Sequence, residues 1–201
     1  MNFLAHLYLC DGTPDAMLGS LMGDFVKGPL AGRYAGPVGE AITLHRSVDS
    51  FTDAHAIVRA SRGRISPPYR RASGILVDMF YDHFLARLWN EYSSEALGDF
   101  AARTYAMVRA RQADMPAPMA RVMLAMAEHD WLGAYRDVAA VQHAIERMSA
   151  RLARPQILRG GGQELDAHYD LLEADFRAFF PQLARHASTL SSGRTPAGSG
   201  H

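Results

Sequence analysis

The chain has 201 residues, 48% hydrophobic and 21% charged, enough for one domain with its own core and no need of disulfides or a structural metal. Twenty-one Lys and Arg balance 21 Asp and Glu, which argues against bulk electrostatic binding to nucleic acid or to a membrane surface. Cys10 is the single cysteine, so an intrachain disulfide is excluded, as is any zinc site that needs two or more cysteines.

Asn2 is placed to cap a first apolar helix that runs to Leu9 and carries His6. This apolar start lacks a basic flank and a small-residue cleavage site. No window reaches the ~18 consecutive apolar residues of a membrane span, so a cytoplasmic protein is expected. Thr13-Pro14-Asp15 reads as a helix start, followed by Met17, Leu18, Leu21, Met22 and Phe25 at helical spacing, with Gly28-Pro29 as its end. Pro37 opens the next helix, with Ile42, Leu44, Val48 and Phe51 on its apolar side and Asp53 and His55 at its end. A turn at Ser66-Pro67-Pro68 leads into a long helix expected over residues 69–89. Further helices are expected over 95–112, from Pro118 to His129, and over 138–152, with a glycine loop at 160–162. The last helix is expected over 164–180, stopping at Pro181. Strand-like alternation is nearly absent and no internal repeat is found. The expected fold is therefore all-α, a single-domain helical bundle over residues 1–186, followed by a disordered tail, 187–201, that is low-complexity from Ser191.

Acids and histidines stand on helices that otherwise read as buried. His45 and Asp49 are four apart and share a helix face; Asp78 and Asp82 repeat the spacing, with His83 beside Asp82 in a strongly apolar stretch. Taken singly, each pair reads as a solvated contact or as partners for Arg70, Arg71 or Arg87. Taken together, two buried acid stripes demand compensation, because an unpaired buried carboxylate costs several kcal/mol. One divalent cation satisfies several acids at once. Asp24, beside Gly23 at the end of its helix, adds to the set, since the helix dipole disfavours an acid there. An oxygen and imidazole donor set without sulfur suits Mn²⁺, Mg²⁺ or Fe²⁺, with Zn²⁺ also compatible. Hydrolysis of a phosphate ester is the natural chemistry of such an ion, and Arg46, next to His45, is placed to hold phosphoryl oxygens.

His6 reads more readily as a hydrogen-bonded core residue than as a ligand. It is carried with Arg46 and Asp49 among the candidate catalytic residues. Asp53 is a candidate to orient a ligand histidine from behind, and His168 reads as structural. His129, His143 and His186 lack acidic companions and read as surface or packing residues, and Cys10 as an inert packing thiol. A di-iron oxygenase is disfavoured because its Glu-x-x-His pattern is missing. A non-catalytic helical module that binds acidic proteins through arginines stays open.

Several segments together resemble the acyl carrier protein phosphodiesterase family. They are MNFLAHLYL, GSLMGDFVKG with Asp24, LHRSVDSFTD with His45, Arg46, Asp49 and Asp53, and GILVDMFYDHFLARLW with Asp78, Asp82 and His83. DWLGAYRD and ELDAHYDLLEADF, which holds His168, follow. The resemblance implies an all-α fold related to the HD-type metal phosphohydrolases. It implies hydrolysis of the phosphodiester that joins 4′-phosphopantetheine to a serine of holo-acyl carrier protein, with Mn²⁺ as the expected metal. By this analogy Asp24, His45, Asp78, Asp82 and His83 form the metal site, at least one of them outside direct contact with the ion. Asp53 and His168 support it. The adjacent pair here is Asp82-His83, the reverse of the His-Asp order of HD enzymes. An acidic carrier protein as substrate also asks for a basic docking face, for which Arg59, Arg62, Arg64, Arg70 and Arg71 are the candidates. Another phosphodiester or a nucleotide is the alternative substrate on the same scaffold.

Overall fold

In the computed structural model, which describes residues 1–30 and 32–192, helix follows helix and no strand occurs among the described residues. α1 (Phe3–Leu9) leads to α2 (Pro14–Met22), where Thr13 caps the start by accepting the Ala16 N–H at 3.3 Å and Pro14 takes the first helical position. α3 (Gly36–Ala54) opens at Pro37. The sequence gives no sign of α4 (Ala56–Arg64): His55, which ends α3, also caps α4 by accepting the Ile57 N–H on Nδ1. A 3-10 turn, Pro67–Ala72, occupies the expected first turn of the long helix, so α5 spans Ser73–Arg87 and the short α6 spans Trp89–Tyr92. α7 (Leu97–Ala110), α8 (Ala117–Glu128), α9 (Trp131–Ala134) and α10 (Val138–Ser149) follow. The chain ends in α11 (Glu164–Ala167) and α12 (Tyr169–Ser192).

α5 is the axis of the bundle. Leu76, Val77, Phe80, Tyr81, Phe84 and Leu85 are fully buried, so the helix is apolar on nearly every side, and α1, α4, α10 and α12 pack around it. α12 brings Phe176 against Tyr81 and Phe84, with ring centroids 5.5 and 5.9 Å apart. Each such side chain stabilises the fold by about 1.5–3 kcal/mol through burial.

α12 does not stop at Pro181. It continues to Ser192, because Phe179 and Phe180 before the proline and Leu183 and Ala187 after it are all buried on one side. Burial across that face offsets the roughly 3 kcal/mol that an interior proline costs. Residues 187–192 of the expected tail are thus helical; 193–201 lie outside the described residues.

Two glycines, Gly19 on α2 and Gly23 just after it, set the approach of α3. A Cβ at Gly19 would stand 2.3 Å from the Val38 carbonyl oxygen, and one at Gly23 would stand 2.2 Å from the His45 ring. Only hydrogen fits at either place, and the close approach delivers His45 to the C-terminal end of α2. No helix among the described residues is long and apolar enough to cross a membrane.

Candidate metal centre

Four elements converge at that end of α2. His6 comes from α1, Asp24 from the turn after α2, His45 and Asp49 from successive turns of α3, and Asp78 from α5. The His6 and His45 rings stack with centroids 3.6 Å apart and planes 11° from parallel. Asp49 lies across their edge, with Oδ1 3.1 Å from His6 Nε2 and Oδ2 3.2 Å from His45 Nε2. Donor atoms of His6, His45 and Asp49 all fall within 4.8 Å of one another, the spacing of ligands around one ion. Asp24 Oδ1 is 3.6 Å from His45 Nε2, and Asp78 Oδ1 is 3.2 Å from the Met1 amino nitrogen, which is itself 3.6 Å from Asp49.

Orientation is built in behind the rings. His45 Nδ1 lies 2.8 Å from the Ser20 carbonyl oxygen, which can only accept, so Nδ1 carries the proton and neutral His45 presents a bare Nε2 to the cluster. Ser20 Oγ donates to the His6 carbonyl at 2.8 Å, tying α1 and α2 together at the same point.

What the protein leaves undone here is the telling feature. Both nitrogens of His6, Nε2 of His45 and Oδ1 of Asp78 are buried without a hydrogen bond. Asp49 is near His6 and His45 but forms a hydrogen bond with neither Nε2, and its contact with His45 is an ion pair when that ring is protonated. Each orphaned buried polar atom costs about 1–3 kcal/mol, and the two imidazole Nε2 atoms that face the Asp49 carboxylate fit the surroundings of a cation. The donor chemistry, imidazole nitrogen and carboxylate oxygen, suits a divalent metal.

The electrostatics agree. Burial opposes charge on His45, but Asp24 and Asp49 outweigh it and raise its pKa to about 9. Burial lowers His6 to about 4; the positive His45 adds to this and Asp49 resists it. Burial would raise Asp49, yet His45 and His6 hold its carboxyl well below the usual carboxylate range. Positive charge on His45 and on the Met1 amine thus stands against the acids, in the place a cation would take. Burial dominates at Asp78 and pushes its carboxyl up despite the Met1 amine and Arg62.

Asp82 and His83 do not join this cluster, contrary to expectation. Asp82 is fully buried and accepts the N–H groups of Leu4 at 2.7 Å and Ala5 at 3.2 Å, so it caps α1 from across the bundle. Asn2, expected in that role, donates instead to the Tyr135 hydroxyl. Burial is the main reason the Asp82 pKa rises to about 7, with the two N–H donors resisting. His83 points away from α1, with Nδ1 2.8 Å from the Tyr135 carbonyl and Nε2 3.0 Å from the Tyr169 hydroxyl. Neighbouring residues on a helix diverge by roughly 100°, which is why the pair cannot serve one ion from one side.

Other expected residues are also spoken for. Asp53 is exposed and pairs with Arg62 at 2.6 Å, so it does not back a ligand histidine. His168 contacts Glu164 at 3.7 Å, at the α11–α12 junction. Arg46 donates to the Val26 carbonyl at 2.8 Å and so fixes the turn that carries Asp24. Among the basic residues, Arg59 bonds the Ala54 carbonyl and Arg64 pairs with Asp175. Arg70 and Arg71 are exposed, without a hydrogen bond or ion pair among the described residues. His6, which the sequence reads more readily as a hydrogen-bonded core residue than as a ligand, stands inside the cluster. Its signal is an imidazole in an apolar helix with no polar neighbour to satisfy it.

The acyl carrier protein phosphodiesterase family profile matches residues 1–183. A protein of that name from Klebsiella pneumoniae subsp. pneumoniae is 35% identical over 93% of this chain and 97% of its own length. One from Salmonella dublin is 36% identical over 94% of this chain and 98% of its own length. No solved structure matches the chain, and the kinship with HD-type phosphohydrolases rests on the resemblance alone. The profile and the near full-length relatives agree with the segments that carry the cluster, and the chain belongs to the acyl carrier protein phosphodiesterase family.

Proposed function

We propose that this chain hydrolyses the phosphodiester between 4′-phosphopantetheine and a serine of holo-acyl carrier protein, releasing apo-carrier and free 4′-phosphopantetheine. The observation that carries this reading is the buried cluster with its orphaned ring nitrogens, in a chain similar throughout to proteins named for that activity. His6, His45 and Asp49 would hold a divalent cation, with Asp24 and Asp78 at its margin. Mn²⁺ is the expected ion, and Mg²⁺ or Fe²⁺ suits the same donors. Such an ion supplies Lewis acidity toward the phosphoryl oxygens and an acidified water.

The chain's own groups do the rest. Ser20 holds the His45 ring in its ligand tautomer, and Arg46 holds the turn that aims Asp24. The Asp24 side chain is 50% exposed and that of Asp49 40%, whereas His6 and His45 are buried behind them, so the diester enters from the aspartate side. Either aspartate there is able to orient a water or take its proton. Arg70 and Arg71, which have no partner among the described residues, suit an acidic carrier protein; Arg59, Arg62 and Arg64 are already engaged. The reading is of a single catalytic domain that includes all of α12, to Ser192, working in the cytoplasm on the carrier of fatty acid biosynthesis.

Incubation with holo-acyl carrier protein and Mn²⁺, followed by intact mass, tests it. Loss of the phosphopantetheine mass from the carrier is expected, and none with His45→Ala. An unchanged carrier mass beside protein that demonstrably binds Mn²⁺ would move the assignment to a different phosphodiester.

A further inference from the structure

A cavity of about 230 Å³ is lined at one end by Asn2, which follows Met1 in the chain, and the Met1 amine stands 3.2 Å from Asp78 of the cluster. Phe3 of α1 and Met79 of α5 also line it. Val122, Trp131, Ala144 and Met148 complete the apolar lining. Polar groups are few: Asn2, the Tyr135 hydroxyl that accepts its amide N–H, and Arg147 and Arg151. Arg147 is near the end of α10 and Arg151 lies just past it; both are exposed, and neither side chain makes a hydrogen bond or ion pair within the described residues. A second cavity of about 230 Å³ shares Trp131, Tyr135, Ala144 and Arg147 with the first and runs on toward His129 and His143. Through these shared residues the two make up one groove, whose Asn2 end lies next to Met1 in the chain.

We infer that this groove receives the pantetheine arm of the substrate, an inference that rests on the phosphodiesterase reading above. With the diester phosphate at the cluster, the arm has to leave it along some path. The arm is a linear amphiphile, with a geminal dimethyl group, a hydroxyl, two amides and a terminal thiol. Apolar walls with a handful of convergent donors match that pattern, and ligand sites are commonly built this way. The dimethyl group meets Phe3 and Met79, and the amide carbonyls accept from Arg147 and Arg151. Trp131, between the two cavities, offers a flat face to an amide plane.

Trp131 also reports on occupancy, because Trp89, the only other tryptophan, is buried in the core. Titrating metal-free protein with pantetheine, which lacks the phosphate, is expected to give a saturable change in tryptophan fluorescence. Ala144→Phe, which fills the groove, is expected to abolish that change and to raise KM for holo-carrier at least ~10-fold with kcat little altered, the mark of lost binding rather than lost chemistry. Arg147→Glu with Arg151→Glu, at exposed positions, should raise KM in the same sense and serves if the filled variant misfolds. No saturable response in the wild type, or an Ala144→Phe enzyme that keeps both its response and its KM, would overturn the inference. A wild type that binds pantetheine but leaves holo-carrier intact would support the groove and sink the phosphodiesterase reading instead.

Discussion

Asp82 with His83 on α5 and His45 with Asp49 on α3 offer the same chemical groups, the first pair fully buried and the second opening to solvent at Asp49, and the protein uses them in opposite ways. Around Asp82 and His83 every polar atom has a protein partner: two backbone N–H groups of α1, a carbonyl and a tyrosine hydroxyl. Beyond the Ser20 carbonyl at its Nδ1, His45 faces other ligand-type side chains, and His6, His45 and Asp78 keep buried atoms without a hydrogen bond. Residue type and spacing alone do not separate a metal site from a buried polar joint. The hydrogen-bond account separates them, because a fold tolerates orphaned atoms only where something else satisfies them.

The sharpest break of that comparison is at Asp49. Asp49→Ala removes the carboxylate that bridges both imidazoles and is expected to cut turnover of holo-carrier by at least ~10²–10³-fold, the scale of losing one transition-state contact. It should also abolish thermal stabilisation by Mn²⁺, which for the wild type amounts to about 2.7 kcal/mol at a hundred times Kd. Asp82→Ala should keep its Mn²⁺ response. If the two variants behaved the other way round in a melting experiment with and without Mn²⁺, the ligand assignment would be inverted.

Asp82 carries the converse prediction, in stability. Its loss uncaps α1 and strands two buried N–H groups, so metal-free Asp82→Ala is expected to unfold about 1–3 kcal/mol more easily in urea. Titration adds a signature. The folded pKa, about 7, exceeds the ordinary 3.8, so the folded state holds this proton more tightly than the unfolded chain does. The stability it contributes is present below about pH 4 and is lost as pH rises toward 7. Asp82→Asn cannot ionise, and its unfolding free energy should fall less steeply than the wild type's across that window. Parallel pH profiles for the two proteins would contradict the buried-cap account.

Much of this is readable in the chain. Pro14, Pro37 and Pro118 mark real helix starts, and the all-round apolar run from Leu76 to Leu85 marks the central helix. α4 escapes because His55 ends one helix and caps the next with no Gly or Pro between them, and the extension of α12 escapes because Pro181 is overridden by burial on both sides. At the site, the i to i+4 spacing places His45 and Asp49 on one face, and the helix-end misfit draws attention to Asp24. What spacing cannot supply is the partner across the bundle. The α1 N-terminus lies opposite Asp82, and Arg62 lies opposite Asp53, only because of tertiary packing.

The same distinction between engaged and unengaged groups ranks the arginines, with the smallest expected effects. Arg64 bonds Asp175 through Nε at 3.0 Å and Nη2 at 3.3 Å, and Ser61 donates to the same carboxylate. Arg64→Ala should therefore cost about 0.2–1 kcal/mol of stability and leave KM unmoved. Arg70 and Arg71 have no such bond to lose among the described residues, and they flank the exposed Pro67-Pro68 turn and Ile75, an apolar centre with a basic rim. Reversing both to Glu should leave the melting temperature unchanged and raise KM for the carrier severalfold at low ionic strength. The effect should fade as salt shortens the Debye length from ~10 Å at 0.1 M toward ~3 Å at 1 M. A KM that stayed flat at low salt would show that the carrier approaches over another face, and the exposed Arg147 and Arg151 beside the groove would then be the next place to reverse charge.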